Sequence, residues 1–493
     1  MKKFFTFCTL LACSSLLMMA QPKKPKLVVG IIVDQMRWDY LPYYESRFGQ
    51  EGFNRLINGG FSFDNLNVNY TPTVTCAGHA HVYTGSVPAI SGIAGNNFYI
   101  NGKRFYCAED NTVSSVGSQS KAGMMSPRNL KVTTMTDALR LATDFRSRTI
   151  SISLKDRSAI MPGGHTANAA YWMDVPAGSF ISSTYYMNDL PAWLKAFNKK
   201  NHDIIKRDVR TEPEGNAILV RLAMEVLDNE KLGRGDETDF LAMSFSSTDY
   251  VGHKYGVRSK QTDAIYLNLD KELGKLLNKL DEKVGKGNYL LFLTADHGAS
   301  HNTDYLRAHK IEAGTWDARA TMKALNEHLS SKFGVAKPLV KDYIEYRLYL
   351  DHEAISQSRL DIQKVKDEIA AFLKQDTKIE FVVDYENMER LPMPVRLKNM
   401  IRNGYNAQRS GDMEVILSPA HYEHAGTAPH QGTTHGVWNP YDSHIPFVLY
   451  GWGIPHGRSG YEATINDIAP TICNLLKIQV PNGCIGKPLP FKE

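Results

Sequence analysis

Beyond its first twenty residues the chain has no apolar run approaching the roughly 20 residues that a membrane-spanning helix needs, which excludes a bundle of such helices. Neither sign of charge dominates. Lys and Arg total 57 against 52 Asp and Glu, and two of the five net positive charges are Lys2 and Lys3. With no polybasic stripe, nucleic acid is not expected as a partner. No period of 20 to 50 residues recurs and there is no low-complexity segment, so a solenoid and a disordered chain are both set aside. Cysteine is scarce, with six in 493 residues, and Cys8 and Cys13 lie in the N-terminal segment. Cys76, Cys107, Cys473 and Cys484 remain. Cys473 and Cys484 are close enough in sequence to pair, but spacing alone does not fix connectivity.

What is present is ordinary globular material, 43% hydrophobic and 22% charged, enough for one large α/β core with insertions or for two domains. The N-terminus MKKFFTFCTLLACSSLLMMAQ has a basic start, an apolar stretch and a small residue before a polar segment. It reads as a secretory signal over residues 1–20, with a mature chain beginning near Gln21, secreted or periplasmic. Leu10-Leu11-Ala12-Cys13 resembles a lipobox, yet the apolar stretch continues past Cys13, which favours cleavage near Ala20. A membrane anchor fits poorly, because the run is short and interrupted by Thr6, Thr9, Ser14 and Ser15. Export permits disulfides.

Short apolar runs alternate with longer amphipathic ones, the pattern of a mostly parallel sheet covered by helices on both faces. Core strands are expected over Lys26–Val33, Thr149–Leu154, Phe240–Phe245, Tyr289–Thr294 and Pro446–Tyr450. Ile265, Leu269, Leu273, Leu276, Leu277 and Leu280 repeat at helical spacing and predict a covering helix.

Polar groups follow these strands. Asp34 comes after LVVGIIV, Lys155 and Arg157 after TISISL, Asp249 after FLAMSF through a short Ser-rich link, and Asp296 after YLLFLT. In open α/β sheets functional groups gather at the carboxyl ends of strands. A lone Asp there is usually a helix cap and a lone His a structural residue. Here, however, Asp249 with His253, Asp296 with His297, and then His435 form three Asp/His islands. Imidazole and carboxylate are the ligands of zinc sites that keep a position open for water or substrate. A helical turn would bring Asp249 and His253, four apart, onto one ion; the adjacent Asp296 and His297 need a loop. His421, His424 and His430 are read as surface or supporting groups.

In this order, Asp34, Thr75, Asp249 with His253, Asp296 with His297, and His435 resemble the alkaline phosphatase superfamily from about Leu27 onward. The resemblance implies that Asp249, His253 and His435 hold one zinc ion and Asp34, Asp296 and His297 the other, with the Thr75 oxygen also on the second. It makes Thr75, in YTPTVTCAGHAHVYTG, the nucleophile; Thr71 and Thr73 are the alternatives, and His79 a supporting group. Zinc and a helix N-terminus would both stabilise the alkoxide that attack requires. A sulfatase of the same superfamily would carry Cys-x-Pro-x-Arg, but Ala77, Gly78, His79 and Ala80 follow Cys76.

Lys155 and Arg157 in SLKDRSAIMPGGHTANAAYW, with Asn96 in SGIAGNNFY, are most similar to the bacterial phosphate-irrepressible alkaline phosphatases, the PafA group. There the matching residues contact the non-bridging oxygens of the transferred phosphoryl. Two cations and an amide facing two zinc ions suit a group that carries nearly two negative charges, as a phosphate monoester does. The fold expected is thus an alkaline phosphatase-like α/β domain over residues 21–493, with cap-like insertions near 97–132 and 300–430. The function expected is hydrolysis of phosphate monoesters through a covalent phosphothreonine with release of inorganic phosphate. A phosphodiesterase or nucleotide pyrophosphatase would share every zinc ligand, and an exported metal- or phosphate-binding protein could use the same ligands without turnover. A monomer is compatible with this reading.

Overall fold

The structure, a computed structural model, describes residues 24–426 and 430–491. The expected signal over residues 1–20, Cys13 included, lies outside the described residues. Among those described, no helix is long and apolar enough to cross a membrane.

An 11-stranded sheet organises the main body. At its centre Tyr289–Thr294, Leu27–Val33, Asp239–Phe245, Thr149–Ser153 and Ala169–Asp174 lie side by side and run parallel. The Leu27–Val33 run is buried along its whole length, as a strand covered on both faces must be. Helices cover both faces. The longest, Lys260–Lys283, turns Ile265, Leu269, Leu273, Leu276, Leu277 and Leu280 inward, each contributing about 1.5–3 kcal/mol by leaving water. Register aligns the strand ends. Ile32 pairs with Thr294, Val33 with Phe245 and Ser153 with Ser244, so the residues that follow all emerge at one rim.

The strand expected over Pro446–Tyr450 is present as His444–Gly451, but it runs antiparallel to Tyr289–Thr294. The reason is positional. The chain returns past His435 at the carboxyl rim, so a strand that starts there must run away from it. Phe61–Asn67 extends the sheet beside it and carries three Asn and Asp residues, types depleted in strands, which hid it in the sequence.

Between Asp296 and His435 the chain builds a second unit with its own core. Strands Val340–Ile344, Arg347–Leu350, Met413–Leu417 and Ile379–Asp384 form an antiparallel sheet backed by helices Ala318–Phe333 and Ile362–Leu373. Arg347 pins this cap to the main body. Its buried guanidinium donates to Ala94 O, Thr71 O and Gly404 O at 2.6–2.9 Å. A smaller wall comes from the hairpin Asn97–Ile100 and Lys103–Tyr106.

Cysteine pairing differs from the Cys473–Cys484 pair that spacing allows: Cys76 bonds to Cys107, while Cys473 and Cys484 are free. The bond ties the wall hairpin to the helix Thr75–Thr84. Closing a loop of 31 residues restricts the unfolded chain by roughly 3–4 kcal/mol. Cys107→Ala is therefore expected to lower unfolding free energy by about that amount in a denaturant titration, and reductant should lower the unsubstituted protein equally. Identical midpoints for oxidised, reduced and substituted protein would refute the tether.

Candidate active site

Every residue singled out at the strand ends arrives at the same rim. Asp34 leaves Leu27–Val33 with its N–H donating to Phe245 O at 3.0 Å and its carbonyl accepting the Thr248 hydroxyl at 2.5 Å. Asp249 and His253 sit one turn apart on the helix Ser247–Tyr255, the conformation their spacing required. Asp296 and His297 follow Tyr289–Thr294 in a loop, where adjacent side chains can both turn inward. His435 comes from the segment that returns from the cap.

Thr75 opens the helix Thr75–Thr84, and its hydroxyl lies 3.5 Å from His297 Nε2. Gly78 lets this helix approach the Asp296 loop, since a Cβ there would lie 2.5 Å from Asp296 O. The alternative Thr73 is occupied elsewhere, its hydroxyl set between Val437 O at 3.1 Å and Asp442 Oδ2 at 3.2 Å. Cys76 is in a disulfide, which removes it as a formylglycine precursor.

The histidine rings are held from behind. His253 Nδ1 meets Thr433 O at 3.0 Å, His297 Nδ1 meets Gly298 O at 3.0 Å and His435 Nδ1 meets Thr73 O at 2.6 Å. A carbonyl oxygen only accepts, so each Nδ1 carries the proton and each Nε2 points inward. His297 Nε2 lies 3.3 Å from Asp296 Oδ2 and 3.7 Å from Asp34 Oδ1; His435 Nε2 lies 3.7 Å from Asp249 Oδ1, and His253 Nε2 3.0 Å from the same oxygen. Burial and the neighbouring His297 and His253 hold His435 well below its usual pKa, so its ring is neutral. A lone pair then faces a carboxylate, which repels unless a cation lies between. Asp34 Oδ1 and Asp296 Oδ2 are buried and make no well-formed hydrogen bond, although His79 Nδ1 lies 3.2 Å from the latter. This acceptor-rich donor set fits metal cations, and its Asp/His composition fits zinc.

Asp249, His253 and His435 form one group of potential ligand atoms within 4.8 Å of one another. Around the other, Asp34 is grouped with Asp249 and His297, and also with His79 and Asp296. His79 has both nitrogens engaged, Nδ1 at 2.9 Å from Thr75 O and 3.2 Å from Asp296 Oδ2, and Nε2 at 2.7 Å from Ser244 Oγ. It ties the helix that Thr75 opens to the Asp296 loop. His421, His424 and His430 join neither group; His424 and His430 stack on each other at 3.8 Å.

Three carboxylates buried together are costly. Burial first, then the charges of Asp249 and Asp296, push the Asp34 carboxyl up to about 8. Lys155 answers part of this, its Nζ lying 2.7 Å from Asp34 Oδ2 and 2.5 Å from Asp249 Oδ2. Burial would raise Asp249 too, but His253 and Lys155 hold it well below the usual range. The sequence reading turned Lys155 toward phosphoryl oxygens; in the structure the carboxylates take it. Arg157 differs. Its Nη1 donates to Tyr106 O–H at 3.0 Å, Tyr106 donates to Asp156 Oδ1 at 2.5 Å, and its Nε–H is buried with no protein acceptor. Asn96 Oδ1 accepts the Cys76 N–H at 2.9 Å.

Sequence reasoning missed Gln35, Tyr106 and Glu345. Gln35 donates from Nε2 to Asp249 Oδ1 at 2.7 Å and from its backbone to Asp296 Oδ1 at 3.1 Å, and its φ of 66° is the conformational cost of doing both. Its adjacency to Asp34 was the available signal. Tyr106 and Glu345 reach the site only through tertiary contacts. Asn96, Glu345, Tyr343, Glu423, His424 and His435 line a polar cleft of about 590 Å³ beside the His253 ring.

The model of the type I phosphodiesterase/nucleotide pyrophosphatase family matches residues 28–438. The chain is 40% identical to alkaline phosphatase PafA of Elizabethkingia meningoseptica, covering 94% of each protein. It is 44% identical to alkaline phosphatase PhoV of Synechococcus elongatus, over 94% of this chain and 92% of that protein. A protein of Myroides odoratus named calcium-transporting ATPase is 43% identical over 95% of this chain and 94% of its own length. The crystal structure of wild-type PafA superposes with a TM-score of 0.91 at 40% identity, over 95% of this chain and 99% of that one. Murine ectonucleotide pyrophosphatase/phosphodiesterase 5, at 15% identity over 93% of this chain and 96% of that one, shares the fold with a TM-score of 0.56.

Removing an inward acceptor should cost metal. Asp249→Ala and His435→Ala are each expected to lower zinc per chain, measured by elemental analysis after equilibration with limiting zinc, because each strips one group of an anchor. Full zinc content in both variants would contradict this site geometry.

Proposed function

The chain belongs to the type I phosphodiesterase/nucleotide pyrophosphatase family of the alkaline phosphatase superfamily, and on that footing we propose that it is an exported, zinc-dependent phosphate monoester hydrolase acting through a covalent phosphothreonine at Thr75. That it is a phosphomonoesterase of the alkaline phosphatase kind follows from the relatives of that name at 40–44% identity along nearly the whole chain. The metal, the nucleophile and the export are the finer reading. One observation carries it: buried carboxylate oxygens of Asp34 and Asp296 that make no hydrogen bond lie 3.7 and 3.3 Å from His297 Nε2, which is 3.5 Å from the Thr75 hydroxyl at a helix N-terminus, and a buried Arg157 N–H has no protein acceptor. The first pair asks for cations and the last for an anion.

Zinc ions held by Asp249, His253 and His435 and by Asp34, Asp296 and His297 would supply Lewis acidity to both the attacking and the leaving oxygen. The rest belongs to the chain. Thr75 Oγ is the nucleophile, and the N-terminal end of its helix favours negative charge there. Arg157 donates to a non-bridging oxygen from a guanidinium that Tyr106 holds in place, and Asn96 donates from an amide fixed by Cys76 N–H. Lys155 shares its charge between Asp34 and Asp249 and adds a buried cation that would favour a dianionic phosphoryl group beside them. Thr75 takes the phosphoryl as the alcohol departs, and water then returns it as inorganic phosphate. The Cys76–Cys107 disulfide supports export, since such bonds persist in oxidising compartments.

The cations set the choice between monoester and diester, because a dianion gains more from each than a monoanion does, and more still where bulk water is excluded. Lys155→Ala with Arg157→Ala is expected to lower kcat/KM for an aryl monoester by orders of magnitude, roughly 3 kcal/mol or more, with a much smaller loss for the matched diester. Equal proportional losses, or a faster diester in the unsubstituted protein, would overturn the monoesterase reading in favour of a diesterase.

A further inference from the structure

One turn of the cap breaks a local rule. Strands Val340–Ile344 and Arg347–Leu350 are joined by two residues, Glu345 with φ 50° and Tyr346 with φ 69°. Two consecutive positive φ values are what such turns demand, and Asn-Gly or Asp-Gly normally meets the demand. A glutamate and a tyrosine do so at a conformational cost, and residues held in that region cluster where function requires their side chains.

Both side chains reach the rim of the active site. The Glu345 carboxylate accepts the backbone N–H of Asn96 through both oxygens, at 3.0 and 3.2 Å. Gly95 makes room, since a Cβ there would collide with that carboxylate. Tyr346 lies on the opposite flank. Its ring lies against Gly436, where a Cβ would come within 2.6 Å, and Gly436 follows His435 at a φ of 113°. Its hydroxyl accepts Glu423 N–H at 3.1 Å.

We propose that Glu345 is a positioning residue of the phosphoryl site: from the tip of the cap hairpin it fixes the backbone of Asn96 so that the side-chain amide faces a phosphoryl oxygen. The inference rests on the reading of Asn96 as a phosphoryl contact. An amide offers two N–H donors and one oxygen. Cys76 N–H takes the oxygen and Glu345 holds the backbone N–H, so the amide is pinned at two points and its N–H groups point in a defined direction. Burial pushes the Glu345 carboxyl up to about 7, and above that pH it is an ionised acceptor, whose bonds are the stronger ones. The cap thereby acts on the reaction without touching substrate, through a contact spanning 249 residues of sequence.

The test is a double-mutant cycle between Glu345 and Asn96. Glu345→Gly removes the carboxylate while suiting the positive φ, so the turn is not forced to unfold; Glu345→Gln keeps one acceptor oxygen. Two quantities are measured with the zinc-loaded protein: kcat/KM for an aryl monoester, and affinity for inorganic phosphate by calorimetry. Glu345→Gly is expected to weaken both by about 10- to 100-fold with zinc content unchanged, and Glu345→Gln to keep most of each. In an Asn96→Ala background, Glu345→Gly should cost less than about 3-fold further, the signature of coupled residues. Equal losses in the two backgrounds, or a Gln variant as poor as the Gly variant, would overturn the proposal. If the unsubstituted protein turned over monoesters poorly, the monoesterase reading would fall, and the phosphate-affinity arm would still decide the coupling of Glu345 to Asn96.

Discussion

Three carboxylates, Asp34, Asp249 and Asp296, are buried at one end of a parallel sheet, and the rest of the site is arranged around the cost of keeping them there. Buried like charges are tolerated only when cations and donors meet them. Gln35 and Lys155 bond to them, Lys155 bridging Asp34 and Asp249, while His79, His253, His297 and His435 stand within 4 Å. These do not suffice. Asp34 Oδ1 and Asp296 Oδ2 still make no well-formed hydrogen bond, and that deficit suits the site to a metal cation.

The two layers of the molecule share this task unequally. The main sheet supplies Asp34, Asp249 and Asp296 from strands in register, so their spacing is as rigid as the core that holds the strands. Thr75 is rigid for a different reason, being fastened at Cys76 by the disulfide and at its own carbonyl by His79. The cap contributes by aim. Arg347 fastens it, and the strained Glu345–Tyr346 turn places one side chain on each flank of the cleft.

Much of this was legible in the sequence, because the information is local. A buried parallel strand announces itself as a continuous apolar run, and Asp34, Asp249 and Asp296 each follow one within a few residues. The helical spacing of Asp249 and His253 could be checked against 3.6 residues per turn, and the structure has that turn. What escaped was non-local. Glu345 meets Asn96 across most of the chain, and nothing within either segment signals the other. The return strand His444–Gly451 was recognised as a strand, yet its direction depends on the route through the cap. Cys76 pairs with Cys107 because the wall hairpin folds back over the helix Thr75–Thr84, which spacing does not show. The place taken by Lys155 likewise follows from the summed charge of its neighbours, which no single stretch of sequence displays.

The central claim is that these charges are assembled to make one threonine hydroxyl a carrier of phosphoryl groups. It is tested most directly by rapid acid quench during turnover of an aryl phosphate monoester, followed by proteolysis and mass spectrometry of the peptide that spans Thr75. The account predicts phosphate on Thr75, absent without substrate and chased away when unlabelled water and time are allowed before the quench. Turnover at full rate with that peptide never phosphorylated, or with phosphate carried on Thr71 or Thr73, would contradict it.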